Sequence, residues 1–158
     1  NIDINQLSID LFKKARKDDV NLNIAVSKKY KKVKLYYRKS INMLNTIDKK
    51  FAKINFKKGF KTKTIYSNSL NSILKNTRYK NKKIDFLNLD IEGNELNALL
   101  SIDFKRYKPK LICVEIHNLK SNKNNVNYYK ESPIYKFLYK KGYRLLWNYG
   151  FSFILKNT

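Results

Sequence analysis

Residues 84–93, IDFLNLDIEG, constrain the fold of this chain more than any other stretch. Ile84, Phe86, Leu87, Leu89 and Ile91 are large and apolar, and they fall on both alternating faces. That is the pattern of a strand buried on both sides of a parallel sheet. The run ends in two carboxylates, Asp90 and Glu92, followed at once by Gly93. NELNALL comes next, with Leu96, Leu99 and Leu100 at helical spacing. Beyond Pro109 a second apolar run, LICVEIH, again ends in ionisable groups, Glu115 and His117. Strand, helix and strand of this kind make a right-handed crossover unit. The spacing predicts that Ile84–Ile91 and Leu111–Ile116 are adjacent parallel strands, with Leu96, Leu99 and Leu100 packed on their sheet. In such sheets ligands bind outside the carboxyl ends of the strands, where these ionisable side chains stand.

The remaining segments read as more of the same α/β architecture. NIDIN is a short strand ending near Asp3, and SIDLFKKAR a short helix with Ser8 as its cap. VNLNIAV alternates Val20, Leu22, Ile24 and Val26 as one strand, and VKLYY adds another. Residues 38–63 scatter their apolar side chains and read as an irregular cover or lid. SLNSILKN places Leu70, Ile73 and Leu74 on one helical face. Residues 118–131 are a polar loop. SPIYKFLYKKG then has a cap-type Ser132, Pro133 at the first helical position and Gly142 past the end. YRLLW and FSFILK flank a turn and predict an antiparallel hairpin. The 158 residues fit a single domain.

Composition limits the function classes. No stretch approaches the roughly 18 apolar residues of a membrane span. No secretory signal is visible, and a cytoplasmic location is expected. Asn1 is not an initiator methionine, so the sequence reads as starting inside a longer product. The single Cys113 lies among apolar neighbours and reads as a buried thiol. The net charge of +23 comes from 35 basic residues, of which 30 are lysine. Sequence-reading nucleic-acid proteins lean on arginine for bidentate contacts, and these lysines fall in many stretches. Lys, Asn and Ile share A/T-rich codons, so the excess reads mainly as genome composition, and a nucleic-acid partner is not expected. Against that background the four glutamates stand out, because Glu92, Glu95 and Glu115 fall close together.

Five blocks in order carry a family resemblance: NIDINQLSIDLF, NLNIAVS, IDFLNLDIEGNELNALL, KPKLICVEIH and KKGYRLLW with FSFIL. Together they resemble the FkbM-type S-adenosylmethionine-dependent methyltransferases. The third block is similar to that family's strand–DxEG–helix signature. The resemblance implies a Rossmann-like class I methyltransferase sheet closed by a C-terminal antiparallel hairpin. It also implies that the family's first strand and glycine-rich loop lie before Asn1, since none of Gly59, Gly93, Gly142 and Gly150 follows a first strand. Loss of that strand leaves two edges unpaired, so the chain alone is expected to bind cofactor weakly and to recover binding when upstream sequence is restored.

The implied reaction is O-methylation of a hydroxyl on a sugar, a polysaccharide or a secondary metabolite, with S-adenosyl-L-methionine as cofactor. By resemblance Asp3 accepts the ribose hydroxyls, Ala25, Val26 and Ser27 flank the adenine, and Asp90 also touches the cofactor. An alcohol acceptor needs a general base within hydrogen-bond reach, and Asp90, Glu92 and His117 are the candidates. Residues two apart on a strand share a side, so Asp90 and Glu92 face the crevice together unless the strand has begun to turn. Plainer readings stand beside these. Both acids could cap the following helix, Glu95 reads as a first-turn helix acid, and Glu115 either pairs with a lysine or turns to the site. His117, the only histidine, is structural or catalytic. With one His and one Cys, a metal site is not expected. Two other function classes remain: a basic nucleic-acid-binding module, which predicts tyrosines interleaved with lysines on one face, and an inactive methyltransferase-like fragment.

Overall fold

The computed structural model describes residues 1–39, 42–117 and 127–158. Its strands are β1 (Ile2–Asp3), β2 (Leu22–Asn23), β3 (Ala25–Val26), β4 (Lys31–Tyr37), β5 (Lys61–Asn68), β6 (Phe86–Leu89), β7 (Leu111–Glu115), β8 (Tyr143–Tyr149) and β9 (Ser152–Asn157). Its helices are α1 (Gln6–Ala15), α2 (Lys49–Asn55), α3 (Leu70–Lys75), α4 (Glu95–Leu100), α5 (Phe104–Tyr107) and α6 (Pro133–Lys140). The fold is mixed α/β. The chain forms two compact units, one of Asn1–Lys80 with Glu92–Ser101, the other of Asn81–Ile91 with Ile102–Thr158.

In the first unit, β1 pairs with β2 in parallel, and a second sheet has the order β3-β5-β4. The expected strand VNLNIAV is therefore two short strands, since β2 bonds to β1 whereas β3 runs parallel to β5. Helix α1 starts earlier than predicted. Asn5 rather than Ser8 is its cap, accepting from the Leu7 N–H at 3.0 Å. A turn in which the Asp3 carboxylate accepts the Asn5 N–H at 2.7 Å sets that start, leaving Ser8 inside the helix.

Residues 38–63, expected to be irregular, hold regular structure. Asp48 caps α2 by accepting the Phe51 N–H at 2.8 Å, and β5 pairs with β4 along its length. Strand β5 was hard to read because Ile65 is its only large aliphatic residue, while lysines and threonines fill most other positions. Tyr36 of β4 joins Ala52 and Phe56 in a core cluster, with Leu44 and Phe60 packed against it. Helix α3 forms where predicted, with Leu70 and Ile73 buried and Leu74 half-buried, and Ser69 caps it. In α4, Leu99 is buried but Leu100 is 45% exposed.

The second unit is built on one sheet of order β6-β7-β9-β8. Strands β6 and β7 are parallel neighbours as predicted, with Phe86 opposite Leu111 and Leu89 opposite Val114. Strands β8 and β9 form the expected hairpin, antiparallel to β7 through β9. Burial departs from the prediction. In β6 only Leu89 is buried, and Phe86 is 54% exposed. The doubly buried reading fails because β6 is an edge strand of its sheet and because one face of that sheet carries the core. Ile112, Val114, Phe153 and Leu155 are fully buried on that face, while Cys113 and Glu115 on the other stay half-buried.

Phe104, Phe137 and Tyr143 meet edge to face in this core. The Tyr143 hydroxyl donates to the Pro109 carbonyl at 2.6 Å, and burial pushes its phenol up to about 12. Helix α6 has the predicted Ser132 cap and Pro133 start, and Gly142 takes φ 88° beyond its end. Of the expected loop 118–131, residues 118–126 lie outside the described residues, and Tyr128–Glu131 is a 3-10 turn.

Candidate active site

Strand alternation puts Cys113, Glu115 and His117 on the half-buried side of β7, opposite Ile112, Val114 and Ile116. At the end of the strand the Ile116 N–H donates to the Phe151 carbonyl at 2.9 Å, tying β7 to the hairpin turn. The Phe151 ring lies 5.1 Å from the His117 ring, centre to centre. Nε2 of His117 stands 3.0 Å from Oε2 of Glu115, with both side chains about one-fifth exposed. Nε2 itself is shielded from solvent and faces the Glu115 carboxylate. A carboxylate oxygen at that distance favours the tautomer with its proton on Nε2. Burial raises the Glu115 carboxyl above its usual range; the Asp90 charge adds to this, and His117 opposes it. Burial also raises the Cys113 thiol, with Glu115 and Asp90 adding to the effect. Asp90, Cys113, Glu115 and His117 thus form one electrostatically linked group in the second unit.

The DIEG segment is built differently from a continuing strand. Strand β6 ends at Leu89, and Asp90 is exposed just beyond it. Glu92 adopts φ 56°, the left-handed region, and Gly93 follows at φ 94°. A non-glycine residue there is held against its preference. Strand alternation therefore does not reach Glu92, and the expected same-side pairing with Asp90 loses its basis. Thr46, fully buried, donates its hydroxyl to the Glu92 carbonyl at 2.6 Å and accepts the Asp48 N–H at 2.9 Å. At Gly93 a β-carbon would come within 3.1 Å of Phe51 Cβ. The Gly93 N–H donates to Glu95 Oε1 at 3.1 Å, so Glu95 is the first-turn acid it was expected to be.

The residues assigned to the cofactor by resemblance lie in the first unit, apart from Asp90. Asp3 ends β1 half-buried, with one carboxylate oxygen receiving Asn5 N–H. A carboxylate has further acceptor positions, so the residue fits a role toward a vicinal diol. Ala25, Val26 and Ser27 are all buried. The Ser27 hydroxyl is engaged with the Lys29 carbonyl at 2.8 Å and the Ser67 hydroxyl at 2.9 Å, and the Asn94 side-chain amide donates to the Val26 carbonyl. These contacts suit a rigid wall better than a direct polar contact.

A family model for the methyltransferase FkbM domain matches residues 2–145. The chain belongs to the FkbM methyltransferase family. No curated protein and no solved structure matches it. The FkbM match makes the protein a methyltransferase in general terms, in a family that generally uses S-adenosylmethionine. In this FkbM domain, Glu115 and Thr46 are the residues whose local importance was least readable. Glu115 shares the i, i+2 alternation of His117, a signal present in VEIH. Thr46 lies in a stretch without periodicity, and only the fold brings its hydroxyl to Glu92.

Proposed function

We propose that this FkbM domain is an S-adenosylmethionine-dependent O-methyltransferase acting on a hydroxyl of a sugar, polysaccharide or secondary metabolite, on a Rossmann-like sheet. The strand order β6-β7-β9-β8, two parallel strands followed by an antiparallel hairpin, supports the sheet assignment. The contact between Glu115 and His117 at the carboxyl end of β7 is the observation that carries the chemistry. When bound, the cofactor supplies an electrophilic methyl group on a sulfonium. Asp3 holds the ribose hydroxyls, and Ala25, Val26 and Ser27 form the wall beside the adenine. Glu115 keeps the proton of His117 on Nε2, which makes Nδ1 the basic nitrogen. His117 takes the acceptor's proton while Asp90 orients the hydroxyl. Glu92 serves by its carbonyl and its backbone shape, and its carboxylate is the alternative orienting group. General-base help of this kind is worth about 10² to 10⁴ in rate.

The test measures cofactor binding by calorimetry and transfer of labelled methyl to a panel of hydroxylated glycans and small alcohols. Asp3→Asn is expected to weaken cofactor binding. His117→Gln is expected to leave that binding intact and to lose most of the turnover, and Asp90→Asn to lose most of the turnover. Parental turnover in Asp90→Asn, Glu92→Gln and His117→Gln alike would remove these groups from the chemistry.

A further inference from the structure

Residues 28–63 hold fourteen of the chain's 35 lysines and arginines but only one of its 12 acids, in less than a quarter of its length. In and around α1, by comparison, Lys13, Lys14, Arg16 and Lys17 are interspersed with Asp10, Asp18 and Asp19, and Arg16 pairs with Asp19 at 2.6 Å. All fourteen cations of 28–63 are exposed. The single acid, Asp48, is turned to cap α2. Among the described residues, no ion pair involves any of the fourteen.

The fold gathers these charges around one ribbon of the first unit. Strands β4 and β5 pair antiparallel, placing Lys32 opposite Tyr66 and Lys34 opposite Thr64 on one face. Lys31, Lys61 and Lys63 supply the other face. Tyr30 and Tyr66 stack with ring centres 5.6 Å apart and planes 9° apart, although they are 64% and 51% exposed. The Lys32 ammonium lies 5.8 Å from the Tyr66 ring centre, and that of Lys63 lies 5.9 Å from that of Tyr37. Further along the face that carries Lys32 and Lys34, Tyr36 packs with Ala52 of α2, a helix that adds Lys49, Lys50 and Lys53.

We propose that the β4–β5 ribbon is a docking surface for single-stranded nucleic acid. Cations that track a phosphate backbone, interleaved with exposed aromatic rings on which bases stack, are what sequence-tolerant single-strand binding requires. Thirteen of the fourteen cations are lysines, point charges without the arginine fork that reads base edges. The ribbon therefore holds the strand without selecting its sequence. A duplex keeps its bases stacked and offers none to Tyr30 or Tyr66. The proposal concerns binding and stands apart from the methyl-transfer reading.

Fluorescence anisotropy of the 158-residue chain with a short labelled oligothymidylate, over a salt series, tests it. Binding is expected to fall with salt by a log–log slope of about −0.7 per phosphate neutralised. Replacing Lys31, Lys32, Lys34, Lys61 and Lys63 together by alanine should flatten that slope by about 1.4 or more, the share of the two lysines on the Tyr66 face, and abolish binding at moderate salt. The milder pair Lys32→Gln with Lys34→Gln should act in the same direction and guards against a folding defect, checked by circular dichroism. Tyr66→Ala should weaken binding by roughly fivefold or more with the slope unchanged. A control set of five exposed lysines of the second unit (Lys105, Lys108, Lys130, Lys140 and Lys156), each replaced by alanine, should change little. The proposal is overturned if the control set weakens binding as much as the ribbon set. Equal affinity for duplex, or for heparin at matched charge, together with an inert Tyr66→Ala would overturn it too.

Discussion

Glu115 and His117 hold Oε2 and Nε2 3.0 Å apart on the side of β7 that faces away from its buried core. A carboxylate and an imidazole two residues apart on a strand share a side, and here the two turn toward each other. The group they form with Asp90 and Cys113 gives measurable consequences even without a known acceptor.

Glu115 is held above its usual 4.5, chiefly by burial and then by Asp90. The folded state therefore binds this proton more tightly than the unfolded chain. Linkage then makes the contribution favourable below about 4.5, and it is lost as pH rises through the folded value. Glu115→Gln removes the titration. Urea melts across pH 4 to 8 should show the variant gaining stability relative to the parent as pH rises. A difference that is flat with pH would mean that Glu115 is not strained in the fold.

Cys113 is the only thiol, so its alkylation rate reports one site. Burial raises it first, with Glu115 and Asp90 adding to the effect. Removing either charge should increase the thiolate fraction. Iodoacetamide is expected to modify Cys113 faster in Glu115→Gln and in Asp90→Asn than in the parent at the same pH. Unchanged rates in both variants would separate these acids from Cys113.

Gly93 combines φ 94° with neighbours that crowd a β-carbon, Phe51 Cβ at 3.1 Å and Asp48 Cβ at 3.4 Å. Gly93→Ala should cost about 1–3 kcal/mol from overpacking, in addition to the left-handed backbone cost. Gly59→Ala is the control, because φ is also positive there but nothing lies within 4 Å. Chemical denaturation should rank Gly93→Ala well below Gly59→Ala. Equal losses would leave only backbone strain as the cause.

Thr46 is fully buried and makes two hydrogen bonds, to the Glu92 carbonyl and from the Asp48 N–H. Thr46→Val should cost about 1–3 kcal/mol, since it removes a hydrogen-bond partner from a half-buried carbonyl and a half-buried N–H. Thr46→Ser keeps the hydroxyl and should recover most of the loss. Denaturation midpoints of the two variants decide the matter, and equal destabilisation would assign the effect to packing.

What the residues determined unaided was local or periodic. The apolar runs of β6 and β7 and their helix-length connection specified two parallel neighbours, because a tight turn cannot join parallel strands. Ser132, Pro133 and Gly142 specified α6, since capping and left-handed backbone are single-residue properties. Other features depended on partners distant in sequence. Strand β5, rich in lysine and threonine, exists because β4 supplies its ladder. VNLNIAV divides because its two halves bond to different strands. Burial of β6 follows its place at a sheet edge, which apolar pattern alone does not encode. The candidate residues Asp90 and His117 were legible from strand-end position. That Glu115 turns to His117, that Glu92 takes a left-handed backbone, and that dispersed lysines gather around one ribbon were decided by tertiary structure, because each depends on contacts that sequence spacing does not specify.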